Sequence, residues 1–178
     1  MSETARDFLR RACAMEAEAA ERYAELAAQM DTHHNREVAA LFAELARIEG
    51  LHRDQLLAKL GLEHAPDPAA FRWETPEGPE TTDYRELHYL MRARHALTLA
   101  LHNEQRAARF YEAVAQAGAP ADLRAEAAEM AAEEREHVRL IQEWLARGGW
   151  GGGPAAAGRR GLSQPPRVAR RWCGRPPA

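Results

Sequence analysis

Cysteine, lysine and β-branched aliphatic residues are nearly missing from this 178-residue chain. The two cysteines, Cys13 and Cys173, stand at opposite ends with no C-x-x-C spacing. That arrangement excludes a thiolate zinc or iron–sulfur site and points to a reducing, cytoplasmic setting. Valine and isoleucine together occur six times against 38 alanines, which excludes a sizeable sheet and favours helix. No run of 18 apolar residues exists and the mean hydropathy is −0.58, so no membrane span is expected. The first seven residues hold no apolar stretch that would read as a secretory signal. Lys59 is the sole lysine; with the arginines it brings the cations to 24 against 27 acids, and a net charge of −3 gives no basis for nucleic-acid binding.

Acid is missing from the last segment. Residues 148–178 carry six arginines, eight glycines and five prolines but no Asp or Glu. Such a stretch has too little apolar surface to offset its ordering entropy, so a disordered tail is expected. Residues 1–147 hold 18 cations and 27 anions, a net −9, and form the expected single domain. That length buries a core without disulfides or structural zinc.

What is present is helical periodicity, four times over. The first segment runs from about Ser2 to Met30, with the inward stripe Phe8, Ala12, Met15/Glu16, Ala19, Tyr23, Leu26 and Met30. The second runs from Asn35, read as its N-cap, to Leu60, with Gly61 as C-cap. The third starts near Asp83, where Glu86 completes a capping box, and ends at Gly118. The fourth opens at Pro120 and ends at Arg147. Short turns join the outer pairs. The middle connection, Gly61 to Thr82, is long and rich in proline and glycine. An all-α four-helix bundle with one long crossover between helices two and three accounts for it.

Each stripe is interrupted near its middle by residues that do not belong in a core: Glu16, then Glu49 and His52, then Glu104, then Glu134 and His137. A buried carboxylate is costly alone, and four together repel strongly. A shared pair of cations removes both problems, and four carboxylates with two imidazoles are donors that iron or manganese accepts. Glu-x-x-His sets both ligands on one helical face, one turn apart. At about 1.5 Å rise per residue, all six can meet in one layer. A third helix parallel to the second needs a crossover spanning about 50 Å, and about 22 extended residues reach about 70 Å. An antiparallel third helix would also level the ligands; the loop length favours the parallel arrangement.

The halves repeat as Glu…Tyr…Glu-x-x-His. Glu16 precedes Glu49 by 33 residues and Glu104 precedes Glu134 by 30, and each upstream glutamate is followed seven residues later by tyrosine, Tyr23 or Tyr111. With these motifs, residues 5–147 resemble the ferritin-like superfamily and, within it, the rubrerythrin-type diiron domain. Glu16 to Tyr23 looks like the first-helix motif, Glu49 to His52 the second, and His102-Asn103-Glu104 through Tyr111, with Glu134 to His137, the second half. The resemblance implies a carboxylate-bridged diiron centre that reacts with hydrogen peroxide or dioxygen in defence against oxidative stress. In that pattern Glu49 and Glu134 bridge, Glu16 and Glu104 are terminal or chelating, and each histidine binds one iron. It also implies a homodimer and an external electron donor. The rubredoxin module that rubrerythrins typically carry needs two Cys pairs, which are absent, and the place of a further carboxylate on helix three is Ala107.

Other polar residues read as ordinary surface. His88, His95 and His102 recur every seven residues as an exposed stripe; His33 and His34 begin a turn; Glu133 and Glu136 flank the fourth-helix motif and are expected in solvent. Tyr23 and Tyr111 are core aromatics that can also hydrogen-bond to the ligands. The expected function is that of a diiron peroxidase or ferroxidase. The alternatives are an iron-handling protein, a diiron hydroxylase, or a helical interaction protein without catalysis.

Overall fold

The computed structural model describes residues 1–71, 92–116 and 118–147. The expected start of the third helix at Asp83, Trp73, His88 and the tail 148–178 lie outside them. Four long helices occupy the described residues, with no strand among them: α1 (Glu3–Thr32), α2 (Arg36–Leu60), α3 (Ala93–Gln116) and α4 (Ala121–Arg147). A 3-10 turn at Pro68–Ala70 follows α2 and packs against α1. Beside it, the Arg11 guanidinium sits 5.6 Å from the centre of the Phe71 ring.

The helix ends follow from local chemistry. Ser2 Oγ accepts the Ala5 N–H at 3.2 Å, satisfying a donor in the first turn of α1. At the end of α2, Gly61 takes a left-handed φ of 66°, and the Leu62 N–H returns to the Leu57 carbonyl at 3.0 Å. Arg6 donates to the Leu60 carbonyl at 2.9 Å, placing a cation where the helix dipole is negative. At the other end of α2, Asn35 makes no side-chain capping bond.

Two apolar clusters establish the direction of each helix. One holds Tyr23 and Leu26 of α1, Phe42 of α2, Leu97 of α3 and Trp144 of α4. The other holds Phe8 of α1, Leu60 of α2, Tyr111 of α3 and Leu123 of α4. The first therefore collects the early parts of α2 and α3 with the late parts of α1 and α4, and the second collects the reverse. α2 and α3 run parallel, so the end of α2 and the start of α3 stand at opposite ends of the bundle. α1 packs mainly on α2 and α3 mainly on α4, giving two hairpins face to face. Between the two clusters lies a buried polar layer of Glu16, Glu49, His52, Asn103, Glu104, Glu134 and His137.

Candidate metal centre

The i, i+3 spacing within Glu49-Gly50-Leu51-His52 and within Glu134-Arg135-Glu136-His137 aims each glutamate and histidine to the same side of its helix. α1 adds Glu16 and α3 adds Glu104. The structure brings all six residues together, and none is more than 5% exposed. His137 Nδ1 lies 2.9 Å from Glu104 Oε2, 3.3 Å from Glu134 Oε2 and 3.9 Å from Glu49 Oε1. His52 Nδ1 lies 3.7 Å from Glu16 Oε2 and 3.9 Å from Glu49 Oε2. The two imidazoles stack with centres 4.7 Å apart and planes 12° apart.

Three overlapping groups offer donor atoms all within 4.8 Å of one another: Glu16, His52 and Glu134; Glu104, Glu134 and His137; Glu49, His52 and His137. Glu134 joins one group with each histidine, and Glu49 reaches both histidines at once. These are the two residues whose carboxylates lie between the halves of the layer.

The charges do not balance on their own. Burial, then the Glu104 charge, pushes the Glu49 carboxyl well above its ordinary range. Burial, then Glu16 and Glu104, does the same to Glu134. Burial also acts against Glu16, but the hydrogen bond and charge of His52 outweigh it and hold that carboxyl below its usual value. At His137 burial favours the neutral ring; the bond to Glu104 and the surrounding carboxylates overcome it and raise the imidazole to about 9. Glu16 Oε2, Glu49 Oε1 and Glu134 Oε1 are buried without a hydrogen-bond partner. Unpartnered carboxylate oxygens converging with imidazoles are hard and borderline donors awaiting cations, so the residues fit a diiron centre.

Both tyrosines of the repeat reach across the bundle. Tyr23 of α1 donates to Glu104 Oε1 of α3 at 3.2 Å, and Tyr111 of α3 donates to Glu16 Oε1 of α1 at 3.4 Å. Sequence reasoning missed two residues behind Tyr23. Asn103 Nδ2 donates to the Tyr23 hydroxyl at 3.4 Å, and Arg106 donates to Asn103 Oδ1 at 2.8 Å. The available signal was an asparagine inside a buried stretch, directly before the α3 glutamate.

Glu133 departs from expectation. It is half-buried, not solvated, and burial raises its carboxyl. A pocket between α2 and α4 explains this: Glu133 and His52 line it together with Gln55, Lys59, Glu126 and Glu129. Lys59 pairs with Glu126 and, at 3.5 Å, with Glu129. His33, His34, His95 and His102 are exposed, and Ala107 is fully buried beside Glu104 on α3. Cys13 is a free, buried thiol, pushed up to about 11 by burial and then by Glu16, so it stays protonated.

A family model described as Rubrerythrin matches residues 7–86, the part that carries α1 and α2. Among solved structures, the chain is similar to an uncharacterized conserved protein from Magnetospirillum magnetotacticum MS-1, a crystal structure 37% identical in sequence. That match covers 79% of this chain and 92% of the other, with a TM-score of 0.60. No curated protein matches.

Proposed function

The chain belongs to the rubrerythrin family of the ferritin-like superfamily, and from that premise we propose that it is a non-haem diiron oxidoreductase that reduces hydrogen peroxide or dioxygen. Glu16, Glu49, His52, Glu104, Glu134 and His137 would hold the two ions, with Glu49 and Glu134 shared between them. The observation that carries this reading is the single buried layer in which the six residues meet with three carboxylate oxygens unpartnered. When bound, a pair of ferrous ions supplies two electrons, one from each ion, which matches the two needed to take hydrogen peroxide to water.

The chain's own residues do the rest. Tyr23 and Tyr111 hold the outer carboxylates Glu104 and Glu16 in place through their hydroxyls. The apolar clusters on either side keep bulk water from the layer and so strengthen every charge interaction inside it. The two cysteines of these 178 residues do not make the two Cys pairs of a rubredoxin-type relay, so the reading assigns re-reduction to an electron donor outside the bundle.

The test is anaerobic loading with Fe(II), counting iron per chain, then separate addition of peroxide and dioxygen while near-ultraviolet absorbance is followed. Two irons per chain with faster oxidation by peroxide favours a peroxidase. Faster oxidation by dioxygen favours a ferroxidase or hydroxylase. Failure to hold iron, with two manganese ions bound instead, would replace the metal; failure to hold either would sink the reading.

A further inference from the structure

The two tyrosines of the repeat occupy matching positions, each donating to the outer glutamate of the other hairpin. Behind Tyr23 stands Asn103, the residue directly before Glu104. Asn103 is only 4% exposed, and its far side meets Arg106, which reaches in from the surface of α3.

This chain of contacts has a direction. A guanidinium only donates, so the amide oxygen of Asn103 must face Arg106. The amide nitrogen then faces Tyr23 and donates to its oxygen. With a lone pair engaged, the phenol's hydrogen is turned to Glu104 Oε1. Glu104 Oε1 is thus occupied as an acceptor, and Oε2 is the oxygen left facing His137 Nδ1, 2.9 Å away.

We propose that Arg106 and Asn103 are positioning residues that set the direction of the Tyr23 hydroxyl and thereby fix which oxygen Glu104 presents to the metal. This rests on the diiron reading, and it goes beyond it by assigning two residues outside the ligand set to the orientation of one ligand. Fixing a ligand's orientation through its outer hydrogen bond commonly changes metal affinity by about 10–100-fold.

The test is an anaerobic titration with Co(II), whose visible bands report each metal as it binds, on the full chain and three variants. The wild type binds two Co(II). Asn103→Asp keeps the shape and the Arg106 contact but presents an acceptor to Tyr23, so the phenol's hydrogen turns away from Glu104. One of the two Co(II) is expected to weaken about tenfold in Asn103→Asp, and equally in Tyr23→Phe, with the other site unmoved. The double variant is expected to be no weaker than Tyr23→Phe alone, because both changes break the same bond. A purely electrostatic effect has the opposite sign, since an added carboxylate attracts the cation. Unchanged or tighter binding in Asn103→Asp, or weakening in Tyr23→Phe spread over both sites, overturns the proposal while two bound Co(II) leave the diiron reading standing. A wild type that binds no metal removes both. Tyr23→Phe keeps the test available if Asn103→Asp loses its helical circular dichroism.

Discussion

At Glu49 and Glu134, burial and neighbouring carboxylates favour the proton over the charge. Glu49→Gln keeps the volume and removes the cost of burying or protonating that carboxyl, a cost that a bound cation would otherwise offset. The metal-free variant is expected to melt above metal-free wild type, yet to bind iron about a hundredfold more weakly or worse. Thermal unfolding and an iron titration check the two halves, and a lower metal-free melting point would contradict the repulsion argument. The same groups give the metal-free protein a pH dependence. His137 rises from 6.5 to about 9, so its contribution to stability is complete below 6.5 and is lost as pH climbs through about 9. Glu49 and Glu134 add the same sign, because the fold keeps protons that the unfolded chain gives up above about 4.5. Glu16 lies below its ordinary value and has the opposite sign, with its contribution lost only as pH falls below the carboxylate range. The metal-free chain is therefore expected to melt lower at pH 9 than at pH 6.5; a higher midpoint at pH 9 would reverse the assignment for His137.

Within α2, two glycines carry opposite expectations. Gly61 closes the helix at a φ of 66°, with nothing within 4 Å of where a Cβ would stand. Gly61→Ala meets no clash there, but it places an L-residue in the left-handed region and is expected to cost about 1–2 kcal/mol. Gly50 sits inside the helix, and a Cβ there would meet only Arg53 Nη2 at 3.9 Å, an ordinary contact. Gly50→Ala is expected to stabilise by about 0.5–1 kcal/mol. Denaturant unfolding of both variants, with unchanged slopes, measures the pair; equal signs would mean that backbone conformation is not what separates them. Elements were also the scale most legible in the sequence. Phe8 through Met30 and Val38 through Leu56 recur at steps of 3 and 4 and are buried, although in α1 burial also fills the whole turn from Ala12 to Ala17, which the period does not predict. The breaks in the stripes located the polar layer for the same reason, since a glutamate in a core register has few physical excuses. The direction of α3 was legible only through the loop length, because ligand spacing is the same read from either end. The partners of Leu97 and Tyr111 in the two clusters agree with the parallel arrangement it favoured. Asn103 and Glu133 were illegible for a different reason: their roles depend on Arg106 and on the pocket beside α2, neither of which periodicity encodes.

Each hairpin of the bundle contributes three of the six candidate ligands: Glu16, Glu49 and His52 from α1–α2, and Glu104, Glu134 and His137 from α3–α4. Packing is richer within the hairpins than between them, so a metal pair in the middle layer cross-links the weaker seam. Metal bound to the folded state adds stability by mass action, about 2.7 kcal/mol when free metal is a hundred times its dissociation constant. At about 2–4 °C per kcal/mol for a chain of this size, chelation should lower the melting temperature by roughly 5–10 °C. The location of the loss is more telling than its size. Amide exchange is expected to quicken around Glu16, Glu49 to His52, Glu104 and Glu134 to His137 in both hairpins together, because one ion pair restrains all four helices. The amides beside Phe42 and Leu97 at one end, and beside Leu9 and Leu123 at the other, should keep their protection, since the apolar clusters there owe nothing to the metal. His137→Ala, which removes a ligand from one hairpin alone, should reproduce the chelated pattern in both and abolish oxidation with helix content intact. Loss of protection confined to α3 and α4 in that variant would mean that the hairpins are joined by their packing, with the metal held by one side.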